Sequence, residues 1–361
     1  MRVSLIAPPF IPVPPVRYGG TELFIAQLAE GLKELGADVV VYANGESTVN
    51  VETRWLYEQA QWPIGEELQA TFKDLNHTSW ALNEAWENSD IIHCNNLPGL
   101  AFSRFAGPNF VYTLHHSHHD WMSAYYANFP DVNFVTISRF QQQRETMQRL
   151  RTIHHGIDLN QYMFQPKKQD YLAFLGRIAP LKGTHNAIAV AKKAGIPLKI
   201  AGEVQPMYKA YFEAQVKPHI DGKFIEYIGE ADLIAKNELL GNALAMLFPI
   251  QWDEPFGLVL VEAMATGTPV LAFAGGSVKE IVTDNVSGYI CGSVDEMAKR
   301  ARNLSKLEPQ KVRDFAERYF SVQRMVRDYV DLYEDILQER AGHRSSQRLS
   351  LADPDEPWKI A

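Results

Sequence analysis

Short apolar runs alternate with stretches of helical period along this chain, and that alternation predicts the architecture before any special chemistry is considered. Val3–Ala7 reads as a strand. Thr21–Leu35 reads as an amphipathic helix with Leu23, Ala26, Leu28, Leu32 and Leu35 on its apolar side and Gly36 as its stop. Asp38–Tyr42, Asp90–His93, Asn109–Leu114 and Asn133–Ile137 follow as further short strands. A polar, proline-bearing seam, Gln165-Pro166-Lys167-Lys168-Gln169-Asp170, interrupts the pattern, which then restarts. The second array has strands at Tyr171–Leu175, Leu198–Ala201, Phe224–Ile228, Ala245–Pro249 and Pro269–Ala272. Its helices fall near Thr184–Ala194, Ala231–Asn242, Gly257–Ala265 and Asp295–Leu304. Two such βα arrays predict an α/β protein of two Rossmann-like, doubly wound domains, with ligand held between the carboxyl ends of their strands. The expected division is 1–165 and 166–321. A long helix over Asp314–Gln338 is expected to cross the seam, its part from about 322 to 340 packing back on the first domain, and the polar tail 343–361 to be loosely held.

Composition narrows the class. The chain has 361 residues, 46% hydrophobic and 22% charged, which suits two ordinary globular domains that need no staples. Cys94 and Cys291 lie far apart with no CxxC spacing, which argues against a disulfide framework or a zinc ribbon and points to a cytoplasmic setting. No basic segment leads into a long apolar stretch, so neither a signal peptide nor a membrane-spanning helix is expected. The net charge is −8, and residues 1–160 carry −7 of it. An acidic first half argues against nucleic acid or an anionic membrane as partner. Arg139, Arg144, Arg149 and Arg151 are a local exception, read as a solvated helix face.

Four segments carry candidate chemistry. The loop after the first strand lacks the G-x-G-x-x-G of a dinucleotide-binding turn; it is proline-rich, and Gly19-Gly20 stand where the first helix begins. Such a turn either simply joins strand to helix or lets backbone approach an anion at a helix N-terminus. After the first strand of the second array comes Gly176-Arg177-Ile178-Ala179-Pro180-Leu181-Lys182-Gly183, which puts a guanidinium fork and an ammonium at a strand's carboxyl end. Farther on, Asp253-Glu254-Pro255-Phe256-Gly257-Leu258 leads into a helix in which Glu262 interrupts an apolar run from Leu258 to Ala265. A carboxylate there needs a polar partner, and ligand hydroxyls answer the need better than packing does. Gly275-Gly276-Ser277 then opens another helix and offers a second N-terminus suited to phosphate.

Taken in order, Gly19-Gly20-Thr21-Glu22, Gly176-Arg177 with Lys182-Gly183, Glu254 and Glu262 with seven residues between them, and Gly275-Gly276 resemble the family 4 retaining glycosyltransferases of GT-B fold, over roughly residues 1–335. That resemblance implies transfer of a hexose-type sugar from a UDP-, GDP- or ADP-sugar to a hydroxyl of a carbohydrate or small-molecule acceptor. It implies no metal and no cofactor beyond the sugar nucleotide. Arg177 and Lys182 would hold the diphosphate with Gly19 and Gly20, and Glu262 the ribose. Glu254 and the backbone of Phe256, Gly257 and Leu258 would hold the transferred sugar. His115, at the end of Val111-Tyr112-Thr113-Leu114, resembles the family's histidine near the reacting carbon. The residues after it, His116, His118, His119 and Trp121, are expected on the acceptor side. A zinc centre built from the histidines and Asp120 is the competing reading, weakened because consecutive residues cannot readily face one ion. His155 departs from the family, which commonly has Asn before that glycine. No carboxylate-rich D-x-D is placed to chelate a metal, so fixed cationic groups would stabilise the leaving diphosphate. A nucleotide-sugar epimerase and a non-catalytic sugar-nucleotide-binding protein of the same fold remain alternatives.

Overall fold

The computed structural model describes residues 1–16, 19–106 and 109–350. Residues 351–361 of the expected loose tail lie outside the described residues, and the backbone up to Ser350 continues the last helix.

The first domain holds seven parallel strands: β1 Arg2–Ile6, β2 Asp38–Ala43, β3 Glu52–Trp55, β4 Ile91–Cys94, β5 Phe110–Leu114, β6 Asn133–Thr136 and β7 Leu150–Thr152, ordered 3-2-1-4-5-6-7. The second holds six: β8 Leu172–Leu175, β9 Leu198–Ala201, β10 Ile225–Tyr227, β11 Ala245–Phe248, β12 Val270–Phe273 and β13 Gly288–Cys291, ordered 10-9-8-11-12-13. In each sheet the order reverses next to the first strand, between β1 and β4 and between β8 and β11, which opens a crevice at the carboxyl edge. The central strands are buried on both faces, as parallel strands covered by helices must be.

The three strands that the sequence pattern does not mark, β3, β7 and β13, all lie at the edges of their sheets. β3 and β7 are half-exposed edge strands, and β13 is short and opens on a glycine. The helix Glu67–Ala85 was likewise not expected, because its apolar positions are diluted by exposed Leu68 and Phe72.

The single helix expected over Asp314–Gln338 is in fact two, Pro309–Phe320 and Val322–Ser350. Ser321 between them is extended. The Val322 N–H donates to Ile157 O and the Ile157 N–H to Phe320 O, both at 2.9 Å, so the returning chain pairs with the outgoing one. No glycine or proline marks this break; the interdomain pairing makes it. Gly156 lets the strands approach, since a Cβ there would stand 2.3 Å from Ser321 O. Leu159 and Tyr162 already pack in the second domain's core. After Ser321 the last helix lays Met325, Val326, Tyr329, Leu332, Tyr333 and Ile336 into the first domain's core. Buried polar bonds fix its register there: Tyr333 OH lies 2.7 Å from His93 Nδ1, and Tyr329 OH 3.0 Å from Thr113 Oγ1.

Candidate active site

Every loop singled out from sequence leaves the carboxyl end of a strand, and they converge on the cleft. Lys182 closes the short turn Pro180–Lys182 after β8, and its Nζ lies 2.6 Å from Glu254 Oε2. Trp252 Nε1 donates to the same oxygen at 3.0 Å, and its ring lies 4.6 Å from the ammonium. Glu254 is buried, and its charge is answered by one cation and one indole N–H. Arg177 directs Nη1 to Gln205 Oε1, 3.2 Å away on the loop after β9.

Gly257, at φ 87°, caps the helix Leu258–Ala265. The Leu260 N–H donates back to Gly257 O at 3.0 Å, the N–H groups before it have no preceding turn to bond, and the positive end of the helix dipole lies beside Glu254. Across the cleft Gly20 faces it: a Cβ on Gly20 would stand 3.6 Å from Leu258 Cδ1. Gly19 and Gly20 start the helix Gly20–Glu34. Glu22 in its first turn is buried, and burial pushes its carboxyl up to about 7.

One expectation needs correction. The helix opened by Gly275-Gly276 is a single turn, Val278–Ile281, too short to build a helical dipole of any size. Its approach is also committed internally: the Gly276 N–H donates to Asp253 Oδ1 at 3.1 Å and the Ser277 N–H to Glu254 O at 2.9 Å. A Cβ on Gly276 (φ 60°) would stand 2.4 Å from the Glu254 N atom. These glycines bring backbone against the Asp253–Glu254 loop and shape it.

Glu262 is buried as expected, yet two side chains already answer it. Tyr162 OH and Lys236 Nζ each donate to Oε1 at 3.0 Å. Tyr162 precedes the seam and Lys236 sits on the helix Leu233–Gly241, so neither was visible as a partner from spacing.

His115 follows β5. Its Nε2 lies 2.9 Å from Asn95 Oδ1, and because that oxygen only accepts, Nε2 carries the proton and Nδ1 the lone pair. Burial, then the neighbouring His155, His116 and His93, hold its pKa well below 6.5, so the ring is neutral. His155 stacks on it, ring centroids 5.6 Å apart and 16° from parallel. Phe24 packs on both imidazoles, and Phe256 meets His155 edge-on at 5.2 Å. A continuous aromatic contact therefore runs from the first domain to Phe256, in the loop before the helix Leu258–Ala265 of the second. His155 fills this junction where the family pattern has Asn.

The remaining histidines diverge. His116 has an exposed side chain, and partial desolvation, then nearby His119, lowers its pKa. His118 lies 2.9 Å from Glu145 Oε1 and 3.2 Å from Asp120 Oδ1, bonds that raise its pKa. His119 caps the helix Asp120–Tyr126, and Trp121 is 64% exposed. Among the described residues no group of three or more His, Cys, Asp or Glu is placed to hold a metal ion.

The two domains form a GT-B architecture, with cation, carboxylate and glycine loops at the carboxyl ends of their strands. Two family models match in tandem: "Glycosyltransferase Family 4" over residues 18–161 and "Glycosyl transferases group 1" over 161–319. The chain belongs to the family 4 glycosyltransferases. It is 23% identical to a glycogen synthase of Mycobacterium tuberculosis, covering 85% of this chain and 86% of that one. Among solved structures it is similar to AviGT4, a glycosyltransferase involved in avilamycin A biosynthesis, at 26% identity and a TM-score of 0.71, covering 93% and 98% of the two chains. It shares its fold with Anabaena HepE, solved with UDP-glucose, at 17% identity and a TM-score of 0.72, covering 93% and 100%. Among the described residues no helix is long and apolar enough to cross a membrane.

Proposed function

We propose that this enzyme moves a hexose-type sugar from a nucleotide-diphosphate donor to an acceptor hydroxyl, with retention at the anomeric carbon and without a metal ion. The observation that carries the reading is Glu254: a buried carboxylate held by Lys182 at 2.6 Å, at the mouth of the helix whose first residue, Leu258, faces Gly20 across the cleft. Removing charge from water in this way suits a site whose ligand brings both hydroxyls and negative charge. On donor binding Lys182 shifts from Glu254 toward the diphosphate, beside Arg177, and Glu254 becomes free to accept from sugar hydroxyls. Both cations are placed before reaction, so charge building on the leaving diphosphate meets them without reorganisation. The neutral imidazole of His115 accepts through Nδ1 from the sugar or acceptor side. The departing phosphate oxygen takes the acceptor proton as the new bond forms. The contact from Phe24 through His115 and His155 to Phe256 excludes water that would hydrolyse the donor. HepE, solved with UDP-glucose, supports such a donor. The enzyme is proposed to work in the cytoplasm, where sugar nucleotides are made.

The test incubates EDTA-treated enzyme with UDP-, ADP- and GDP-sugars and a panel of glycosyl acceptors, and follows the product anomer by NMR. Transfer with the donor's anomeric configuration is expected. An inverted product, activity restored only by added Mg²⁺, Mn²⁺ or Zn²⁺, or an epimerised sugar nucleotide without transfer would each refute the reading.

A further inference from the structure

Glu280 belongs to the single turn Val278–Ile281 on the donor side, yet its carboxylate crosses the cleft. Oε2 accepts the Arg139 N–H at 2.8 Å and Oε1 the Phe140 N–H at 2.6 Å. His154, on the segment linking the domains, donates from Nε2 to Oε2 at 2.7 Å. Arg139 and Phe140 begin the short helix Arg139–Gln142 after β6, whose capping Ser138 spends its hydroxyl on Gln141 N. Their N–H groups thus have no partner within that helix, and Glu280 supplies one. The carboxylate side chain is only 17% exposed, and its bonds are charge-assisted. The nearby Arg144–Asp253 pair, at 3.8 Å with both side chains at least 40% exposed, is a weak link by comparison.

The path from Glu280 into the donor loop is short. The Ser277 hydroxyl donates to Phe256 O at 2.8 Å, the Ser277 N–H to Glu254 O at 2.9 Å, and the Gly276 N–H to Asp253 Oδ1 at 3.1 Å. One helical turn therefore joins a group anchored on the acceptor-side domain to the loop carrying Glu254 and Phe256. We propose that Glu280 is a positioning residue for sugar transfer: it latches the two domains and, through Ser277 and Gly276, aligns Glu254 and Phe256 with His115. The proposal rests on the donor-side reading above. Glu280 touches neither substrate; it sets the distance between the two halves of the site.

Two full-length variants attack the latch from opposite sides. Glu280→Gln keeps the shape but can offer only one acceptor. Arg139→Pro removes one N–H without altering the donor-side domain; the first helical position accepts proline, and Ser138 is already extended (φ −153°, ψ 156°) as a residue before proline must be. Both are expected to bind UDP, ADP or GDP as wild type does in calorimetry. Both should lose kcat on UDP-glucose, ADP-glucose or GDP-mannose by roughly 10- to 100-fold, the scale of an ångström of misplacement. Both should also show a larger radius of gyration in solution scattering. The double variant should be no worse than Glu280→Gln alone, because the shared bond is already weakened. Unchanged scattering with unchanged kcat would overturn the proposal. So would additive losses, or a fall in nucleotide affinity matching the fall in kcat, which would place Glu280 in the donor site itself. If wild type binds none of the nucleotides, the donor reading fails, while scattering still decides the latch.

Discussion

Replacing Glu262 with glutamine separates a ligand-binding carboxylate from a structural one, because the structure shows what else the group does. Oε1 accepts from Tyr162 OH and Lys236 Nζ, both at 3.0 Å, in a site where the Glu262 side chain is 5% exposed and the lysine 20%. Glutamine keeps an acceptor for Tyr162 but withdraws the charge opposite Lys236, which lies near enough to the surface to find water. The structural cost should therefore be small, about 1 kcal/mol, against the 3–5 kcal/mol typical of a fully buried broken pair. For domains of this size that lowers the melting temperature by roughly 2–4 °C. The functional cost should be larger. A hydrogen bond from ribose hydroxyls to a charged acceptor contributes ~1.5–3 kcal/mol, which is roughly one to two decades in nucleotide affinity. Tyr162→Phe is the control: it removes an orienting hydroxyl but leaves the charge, and should lose less affinity than Glu262→Gln. The assay is calorimetric titration of UDP, ADP and GDP and of their 2′-deoxy forms into both variants, with melting temperatures recorded alongside. The 2′-deoxy ligand should lose less on mutation than the ribose ligand, since one partner is already missing. Wild-type affinity in Glu262→Gln together with a lowered melting temperature would refute the reasoning and leave Glu262 a structural residue.

Other expectations follow from the same geometry. Arg177→Ala and Lys182→Ala should each reduce turnover by roughly 10²-fold, as for other lost donors to a developing anion, and near-wild-type kcat/KM in both would remove them from the diphosphate site. Lys182→Ala also strips the cation from buried Glu254, so its melting temperature should fall more than that of Arg177→Ala; equal shifts would count against the Lys182–Glu254 pair. Burial, then nearby Arg324 and His154, lower the His155 pKa to about 3 from its ordinary 6.5. Between those values the unfolded chain binds a proton that the folded chain does not, so this contribution is whole above about pH 6.5 and is lost as pH falls toward 3. His155→Asn should remove that slope, up to about 1.4 kcal/mol per pH unit, and urea unfolding at pH 7, 6 and 5 would refute this if the two proteins lost stability in parallel.

Much of this enzyme follows from local rules that a sequence displays. Continuous apolar runs mark the central strands, which helices cover on both faces so that every residue is buried, and period-3.6 patterns mark the helices, which bury one face. Strand ends are where parallel α/β folds keep their ligands, and the places of Arg177, Lys182, Glu254 and His115 beyond strand ends were legible from the apolar runs before them. Edge strands such as β3 and β7 stayed hidden because a half-exposed strand loses the apolar signal. What tertiary structure decided is the pairing of groups far apart in the chain. Tyr162 and Lys236 reach Glu262 across 100 and 26 residues, and His93 meets Tyr333 across 240. Helix breaks followed the same logic: Ser321 interrupts a helical sequence because the segment at Ile157 claims its neighbours' backbone groups. Glu280 is the sharpest case, an ordinary charged residue in a one-turn helix whose partners, Arg139 and Phe140, are 141 and 140 residues away. Periodicity reports which side of an element is buried; only the folded chain settles which groups meet there, since hydrogen bonds and ion pairs act over a few ångströms whatever the sequence distance.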